Sequence, residues 1–272
     1  MQNFQNKVAV ITGGASGLGF ATATALAKHG ARLVLADIEA TALDKAVASF
    51  TSQGTQAIGV ITDVSKRDAV ANLADRAWNH FGAVDILFNN AGIAVFGPTQ
   101  EMTHNDWLWS VNVNLWGPIH GVECFVQRMV EQKTEGHVLF TASFAGLAPN
   151  RALGPYNVTK AGVVALAESL HKDLRGTDIG VSVLCPMRVS TNIDQSFRNR
   201  PQELGGKVAN RTYTDTERAE LNGATLSAAP VGELVVAAMR RNDLYIHTHK
   251  AAQAFVHKRG ERIEATFVHA ID

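Results

Sequence analysis

A β-branched run, Lys7-Val8-Ala9-Val10-Ile11-Thr12, passes directly into Gly13-Gly14-Ala15-Ser16-Gly17-Leu18-Gly19, and a helical pattern over 20–29 follows at once. A buried strand, a glycine turn and a helix in immediate succession leave few folds open. Gly13 permits the tight turn, Gly17 lets the backbone approach a diphosphate, and Gly19 lets the helix pack close to the sheet. The free N–H groups of Ser16, Gly17 and Leu18, at the helix start, then face the phosphates. The spacing is G-x-x-x-G-x-G rather than G-x-G-x-x-G.

The alternation continues along the chain. Strands are expected over 32–36, 56–61, 84–88, 137–141 and 180–185, and a last one over 244–247. Between them run helical patterns, such as 66–81 with apolar Val70, Leu73, Ala74 and Ala77 at helical spacing. Residues 103–132 are expected to be helical with an interruption near Asn112-Val113-Asn114; Trp107, Trp109 and Trp116 there read as core or subunit interface. Such alternation predicts an α/β fold, a doubly wound parallel sheet with helices on both faces. Residues 1–272 read as one Rossmann-like domain, with no internal repeat or linker. After strand six the pattern loosens, and a segment of that length, about 187–227, is expected to be functional, for example a substrate lid. A helix over 231–241 follows, and the tail over 250–272 is amphipathic.

Composition narrows the function. Lysine plus arginine equals aspartate plus glutamate, 25 each, so neither nucleic acid nor a membrane surface is an expected partner. Apolar runs are too short to span a bilayer, and the first residues show no signal-peptide apolar region. Two cysteines, Cys124 and Cys185, without metal-type spacing, fit reduced thiols in a cytoplasmic protein. His247 and His249 are expected to share a strand face, but no third ligand is evident and no metal is expected.

Asp37 ends strand two, about twenty residues past the glycines, where a carboxylate accepts both adenosine ribose hydroxyls. It would repel a 2′-phosphate, and neither Ala15 nor Ile38 is basic, so NAD is expected over NADP. Asp37 could also cap the following helix. Asp63 could reach the adenine edge or cap its turn. Asn89-Asn90-Ala91-Gly92 is a turn at the carboxyl end of strand four, the edge where open parallel sheets bind ligands.

The chemistry concentrates over 143–160. Tyr156 and Lys160 stand one helical turn apart on one face, and a nearby cation favours the ionised phenol. Such a tyrosine takes a proton from an alcohol or returns one to a ketone.

Taken in order, these residues resemble the short-chain dehydrogenase/reductase family. The resemblance rests on Thr-Gly-x-x-x-Gly-x-Gly at Thr12 to Gly19, Asp37, Asp63-Val64, Asn89-Asn90-Ala91-Gly92, Asn114-Leu115-x-Gly117, Ser143 and Tyr156-x-x-x-Lys160. It implies Tyr156 as general acid/base and Lys160 as the group that lowers its pKa and binds the nicotinamide ribose. Ser143 would orient the reacting oxygen. Asn114 would hold a proton-relay water through its backbone; Asn112 is the competing candidate. Asn90 and Gly92 resemble the turn that flanks the adenosine ribose. Pro186, Val189 and Thr191 match the nicotinamide-gripping pattern, with Met187 where glycine is expected. The family also implies a homodimer or homotetramer through the helices near 115–132 and 156–175. Phe96-Gly97-Pro98, Gly154-Pro155-Tyr156, Arg200-Pro201 and Leu244-Tyr245-Ile246 resemble bacterial NAD-dependent Cα-dehydrogenases of lignin-derived aryl ethers.

The reading is hydride transfer between NAD(H) and a secondary alcohol or ketone. Phe96, Phe144, Leu147, Leu153 and Met187 would line an apolar pocket for a bulky or aromatic small-molecule substrate, or else are plain core. Arg188 or Arg198 would hold a substrate carboxylate, or else are solvated. The competing reading is a non-catalytic NAD-binding sensor or scaffold.

Overall fold

A computed structural model describes residues 1–206 and 224–271. Seven parallel strands form one sheet in the order β3-β2-β1-β4-β5-β6-β7. They are β1 (Val8–Thr12), β2 (Arg32–Asp37), β3 (Ala57–Ile61), β4 (Ile86–Asn89), β5 (Gly136–Thr141), β6 (Ile179–Cys185) and β7 (Tyr245–His247). The central strands are buried on both faces, which is why they read as continuous apolar runs. Within β1, Val8 and Val10 enter one core and Ala9 and Ile11 the other, as the two-residue strand period requires.

On one face pack α3 (Arg67–Phe81), through Val70, Leu73 and Ala74, and α8 (Gly154–Asp173), through Val163 and Ala167. On the other pack α1 (Gly17–Lys28), α2 (Ala40–Thr51) and α9 (Ala228–Arg241). The chain runs β1 to β3 outward and then returns to place β4 beside β1. That reversal opens a crevice at the carboxyl ends of β1 and β4.

The long helical stretch opens with α4 (His104–Val111), started by a Thr103–Asp106 capping box. The expected interruption is a wide π-type turn, Asn112–Trp116. After α5 (Gly117–Gly121) comes a second such turn, Val122–Val126, which sequence periodicity did not show, and then α6 (Gln127–Glu131).

One expectation needs correction. β7 ends at His247, so His249 lies outside the strand; it bonds the Ala224 carbonyl through Nε2. Among the described residues no cluster of three metal-ligating side chains exists. The expected lid region begins with 3₁₀ turns, Asn192–Asn199 and Gln202–Leu204. Its residues 207–223 lie outside the described residues, and Val189 pairs with Leu226 beyond them. The tail carries helix α10 (Ala252–Glu264). Among the described residues no helix is long and apolar enough to cross a membrane.

Candidate active site

A cleft of about 420 Å³ runs along the carboxyl edge of the sheet, from Asp37 and Asp63 at one end to Ser143 and Tyr156 at the other. Its floor is the glycine turn. Gly13 (φ +62°) and Gly17 (φ +54°) both adopt left-handed backbone that favours glycine. Ser16 precedes α1 without a side-chain capping bond, and the first turn holds no acidic residue, so the helix start is open to an anion.

The turn is held from beneath by residues that are themselves part of the motif pattern. The Thr12 hydroxyl accepts from the Asn90 and Ala91 amides at 2.9 and 3.1 Å. Asn90 Nδ2 donates to the carbonyls of Thr12 and Gly13, and its Oδ1 accepts from the Thr141 hydroxyl. The Asn90 side chain is thus engaged in bracing the turn rather than facing outward. Gly19 does not line the cleft. A Cβ there would lie 2.3 Å from the Gly13 carbonyl oxygen, so its smallness serves the turn itself rather than the sheet.

At one end of the cleft Asp37 accepts from Ala15 N through Oδ2 and from Glu39 N through Oδ1. It does not cap α2, whose N-cap is Glu39. Burial raises the Asp37 pKa, and the Glu39 and Ala15 amides partly offset that. Asp63 Oδ1 accepts from Ser65 N and so does cap its turn, while also lining the cleft beside Val64.

At the other end, β5 delivers Ser143 and α8 delivers Tyr156 and Lys160. Pro155 sits in the first turn of α8, where its missing N–H costs nothing. Ser143 starts the short helix α7 (Phe144–Leu147) by accepting from Ala145 N at 3.1 Å, its hydroxyl donates to the Pro186 carbonyl at 3.5 Å, and it lines the cleft beside Tyr156. Lys160 Nζ donates to the Thr141 carbonyl at 2.8 Å and lies 5.6 Å from the Tyr156 ring centre. Burial, with no carboxylate partner, pulls the Lys160 pKa down to about 8. For Tyr156 the outcome differs from the sequence expectation. Burial pushes its pKa up, against the Ser143 hydrogen bond, and Asp194 adds to the rise. Lysine stands near the ring but does not dominate.

Asn114 does not line the cleft but is buried directly behind it. Its Oδ1 accepts from Ile93 N and its Nδ2 donates to Ile93 O, which leaves the π-type turn pinned to the segment after β4. A Cβ on Gly92 would sit 3.3 Å from Asn114 Oδ1 and 3.4 Å from Lys160 Nζ, so Gly92 lies against both groups. Asn112, the competing candidate, lines the cleft.

Pro186, Val189 and Thr191 line the cleft, and so does Met187. Phe96, Phe144, Leu147 and Leu153 do not. Phe144 packs edge-on against Phe255 of α10, Leu147 joins the core beneath the sheet, and Leu153 pairs with Gly97. The apolar lining comes instead from Ile93, Leu108, Trp109, Ile193 and Leu204. Trp109 is buried, as expected of core, yet also walls the cleft. Helical periodicity carries no signal for that, because a core face and a pocket wall look alike in sequence. Arg198 faces a carboxylate of the chain itself: its Nη2 lies 2.6 Å from Glu39 Oε1.

Residues 7–202 match the family model described as short chain dehydrogenase. The chain belongs to the short-chain dehydrogenase family. Among its relatives is the C alpha-dehydrogenase of Sphingobium sp. strain SYK-6, 36% identical over 249 residues, covering 90% of this chain and 81% of that protein. The structure superposes on a short-chain dehydrogenase/reductase from Burkholderia phymatum in complex with NAD, with TM-score 0.90 and 40% identity, covering 98% and 97% of the two chains. The apo form of LigD from the same Sphingobium strain superposes with TM-score 0.81 and 31% identity, covering 99% of each chain.

Proposed function

We propose that residues 1–272 form one catalytic domain, an NAD-dependent dehydrogenase of secondary alcohols or reductase of the matching ketones. The observation that carries this is the gathering of Ser143, Tyr156 and buried Lys160 at the end of a cleft that runs to Asp37. The uncapped start of α1, the glycine turn and the Asp37 carboxylate fit a dinucleotide. Ser16, Gly17 and Leu18 would meet the diphosphate, and Asp63 and Val64 the adenine side. Ala91 and Gly92 would flank the ribose, with Pro186, Val189 and Thr191 about the nicotinamide. When bound, that group supplies the hydride acceptor or donor.

The protein's own part is position and proton transfer. Ser143 holds the substrate oxygen and Tyr156 exchanges its proton, in the direction set by supply. Lys160, whose pKa burial pulls down to about 8, would donate hydrogen bonds to the nicotinamide ribose and pass a proton toward Tyr156. Asn114 fixes the turn behind them. A binding-only protein needs the cleft but not this cluster. The apolar walls around Trp109, Leu108 and Met187 favour a bulky or aromatic substrate, and the relative named C alpha-dehydrogenase makes benzylic alcohols the first class to try. A homodimer or homotetramer is supported by apolar Trp116 and Val158, exposed on the helical stretches the family pairs between subunits.

The test is absorbance of reduced nicotinamide with a panel of secondary alcohols, NAD and NADP in parallel. Turnover with NAD, lost by about 10²–10⁴-fold in Tyr156→Phe while dinucleotide binding persists, is expected. Full turnover in Tyr156→Phe would remove the acid/base assignment, and a preference for NADP would remove the role given to Asp37.

A further inference from the structure

The segment after β6 crosses the cleft. Thr191 packs on the glycine turn: a Cβ on Gly17 would sit 3.2 Å from its methyl carbon. Seven residues later Arg198 reaches Glu39, two residues past Asp37. One carboxylate oxygen, Glu39 Oε1, accepts three hydrogen bonds, from Arg198 Nη2 at 2.6 Å, Arg198 Nε at 3.1 Å and Asn199 Nδ2 at 3.1 Å. Glu39, Arg198, Asn199 and Asp37 all line the same cleft. The far side of the segment is tied differently. Arg200 Nη1 bonds Asp106 Oδ1 at 2.6 Å, Arg200 Nε donates to Leu204 O, and the guanidinium lies over the rings of Trp109 and Phe197. Ser196 accepts from Ala94 N.

The two attachments differ in strength for a physical reason. Arg200 and Asp106 are 6% and 14% exposed, so their pair is shielded from solvent and salt. Arg198 and Glu39 are 32% and 34% exposed, so water and salt weaken theirs. One end acts as an anchor and the other as a catch. Hydrogen bonds from Arg198 hold the Glu39 carboxyl below its ordinary pKa against burial, so the catch is charged at neutral pH.

We propose that Glu39 and Arg198, joined by Asn199, are positioning residues that clasp the segment across the dinucleotide cleft, and that opening this clasp sets how fast the dinucleotide leaves. The inference rests on the dinucleotide reading above. It also accounts for an ion pair placed beside Asp37, at the opposite end of the cleft from Ser143 and Tyr156.

The experiment is stopped-flow release of NADH from the full chain, followed by its fluorescence during displacement by excess NAD. Glu39→Gln and Arg198→Met each speed release about three- to fivefold, the scale of a part-exposed ion pair. Arg198→Lys retains most of the restraint, and the double variant releases no faster than the faster single one. In the unmodified protein, raising salt speeds release, and Glu39→Gln loses that salt response. A salt-insensitive wild type, or single-variant effects that add in the double variant, overturns the clasp. If the wild type binds NADH and Glu39→Gln releases it at the same rate, the clasp alone falls. If the wild type binds no NADH, the dinucleotide reading falls with it.

Discussion

Replacing Gly19 by alanine tests whether the glycine turn is a braced anion cradle. The new Cβ would lie 2.3 Å from the Gly13 carbonyl oxygen and 2.6 Å from Asn90 Nδ2. Ordinary contact begins at 3.4 Å, so backbone or the Asn90 amide must move by about 1 Å. Neither is the far end of a flexible chain. Asn90 Nδ2 is held by two carbonyls, and Gly13 is the first residue of the turn. Overpacking of this kind costs about 1–3 kcal/mol, or roughly 2–5 °C in Tm for a chain of this size. The larger effect falls on binding. Displacing two of the N–H groups that face an anion removes about 1–3 kcal/mol, about five- to 150-fold in Kd. Gly54→Ala is the control. Gly54 has φ +81° and no atom within 4 Å of a Cβ, so it loses about 1–2 kcal/mol of stability through backbone strain alone and leaves binding unchanged. Urea unfolding and NADH titration of both variants separate the two effects. Wild-type affinity in a folded Gly19→Ala protein would refute the argument that Gly19 supports the turn.

Two further outcomes are expected. His137 is fully buried, with Nε2 on the Ser182 hydroxyl, and burial, with a smaller push from the charged N-terminus, takes its pKa down to about 3. Its folded value lies below its unfolded one, so on acidification the unfolded chain takes the proton first, and stability is lost as pH falls from about 6.5 toward 3. One proton is worth about 1.4 kcal/mol per pH unit. Between pH 7 and 5 the wild type should lose about 2 kcal/mol more than His137→Gln in urea unfolding, and equal losses would exclude His137 as the source. Trp116, 46% exposed and stacked on His120, should lie in a subunit contact. Trp116→Asp is expected to give a smaller species than the wild type by light scattering; an unchanged mass, or a monomeric wild type, removes that contact.

The sequence by itself determined the alternation of strand and helix, the parallel doubly wound sheet, and the line of motif residues from Gly13 to Thr191, most of which the cleft collects, though not Gly19 or Asn114. These are legible because strand burial, helical period and turn chemistry are local properties, written within a few residues. Strand limits differ from expectation by a residue or two, and Asp63 capping its turn was one of two readings the residue type allowed. Tertiary structure alone decided which neighbours those residues meet. It turned Phe144 and Leu147 into packing, Trp109 into a cleft wall, and the Asn90 side chain into a brace. It brought Arg198 to Glu39 across 159 residues of chain. It also reversed the sign expected at Tyr156, because desolvation depends on everything packed around the phenol and not on the lysine four residues away. Contact, burial and charge are properties of the folded surroundings, and no local spacing encodes them.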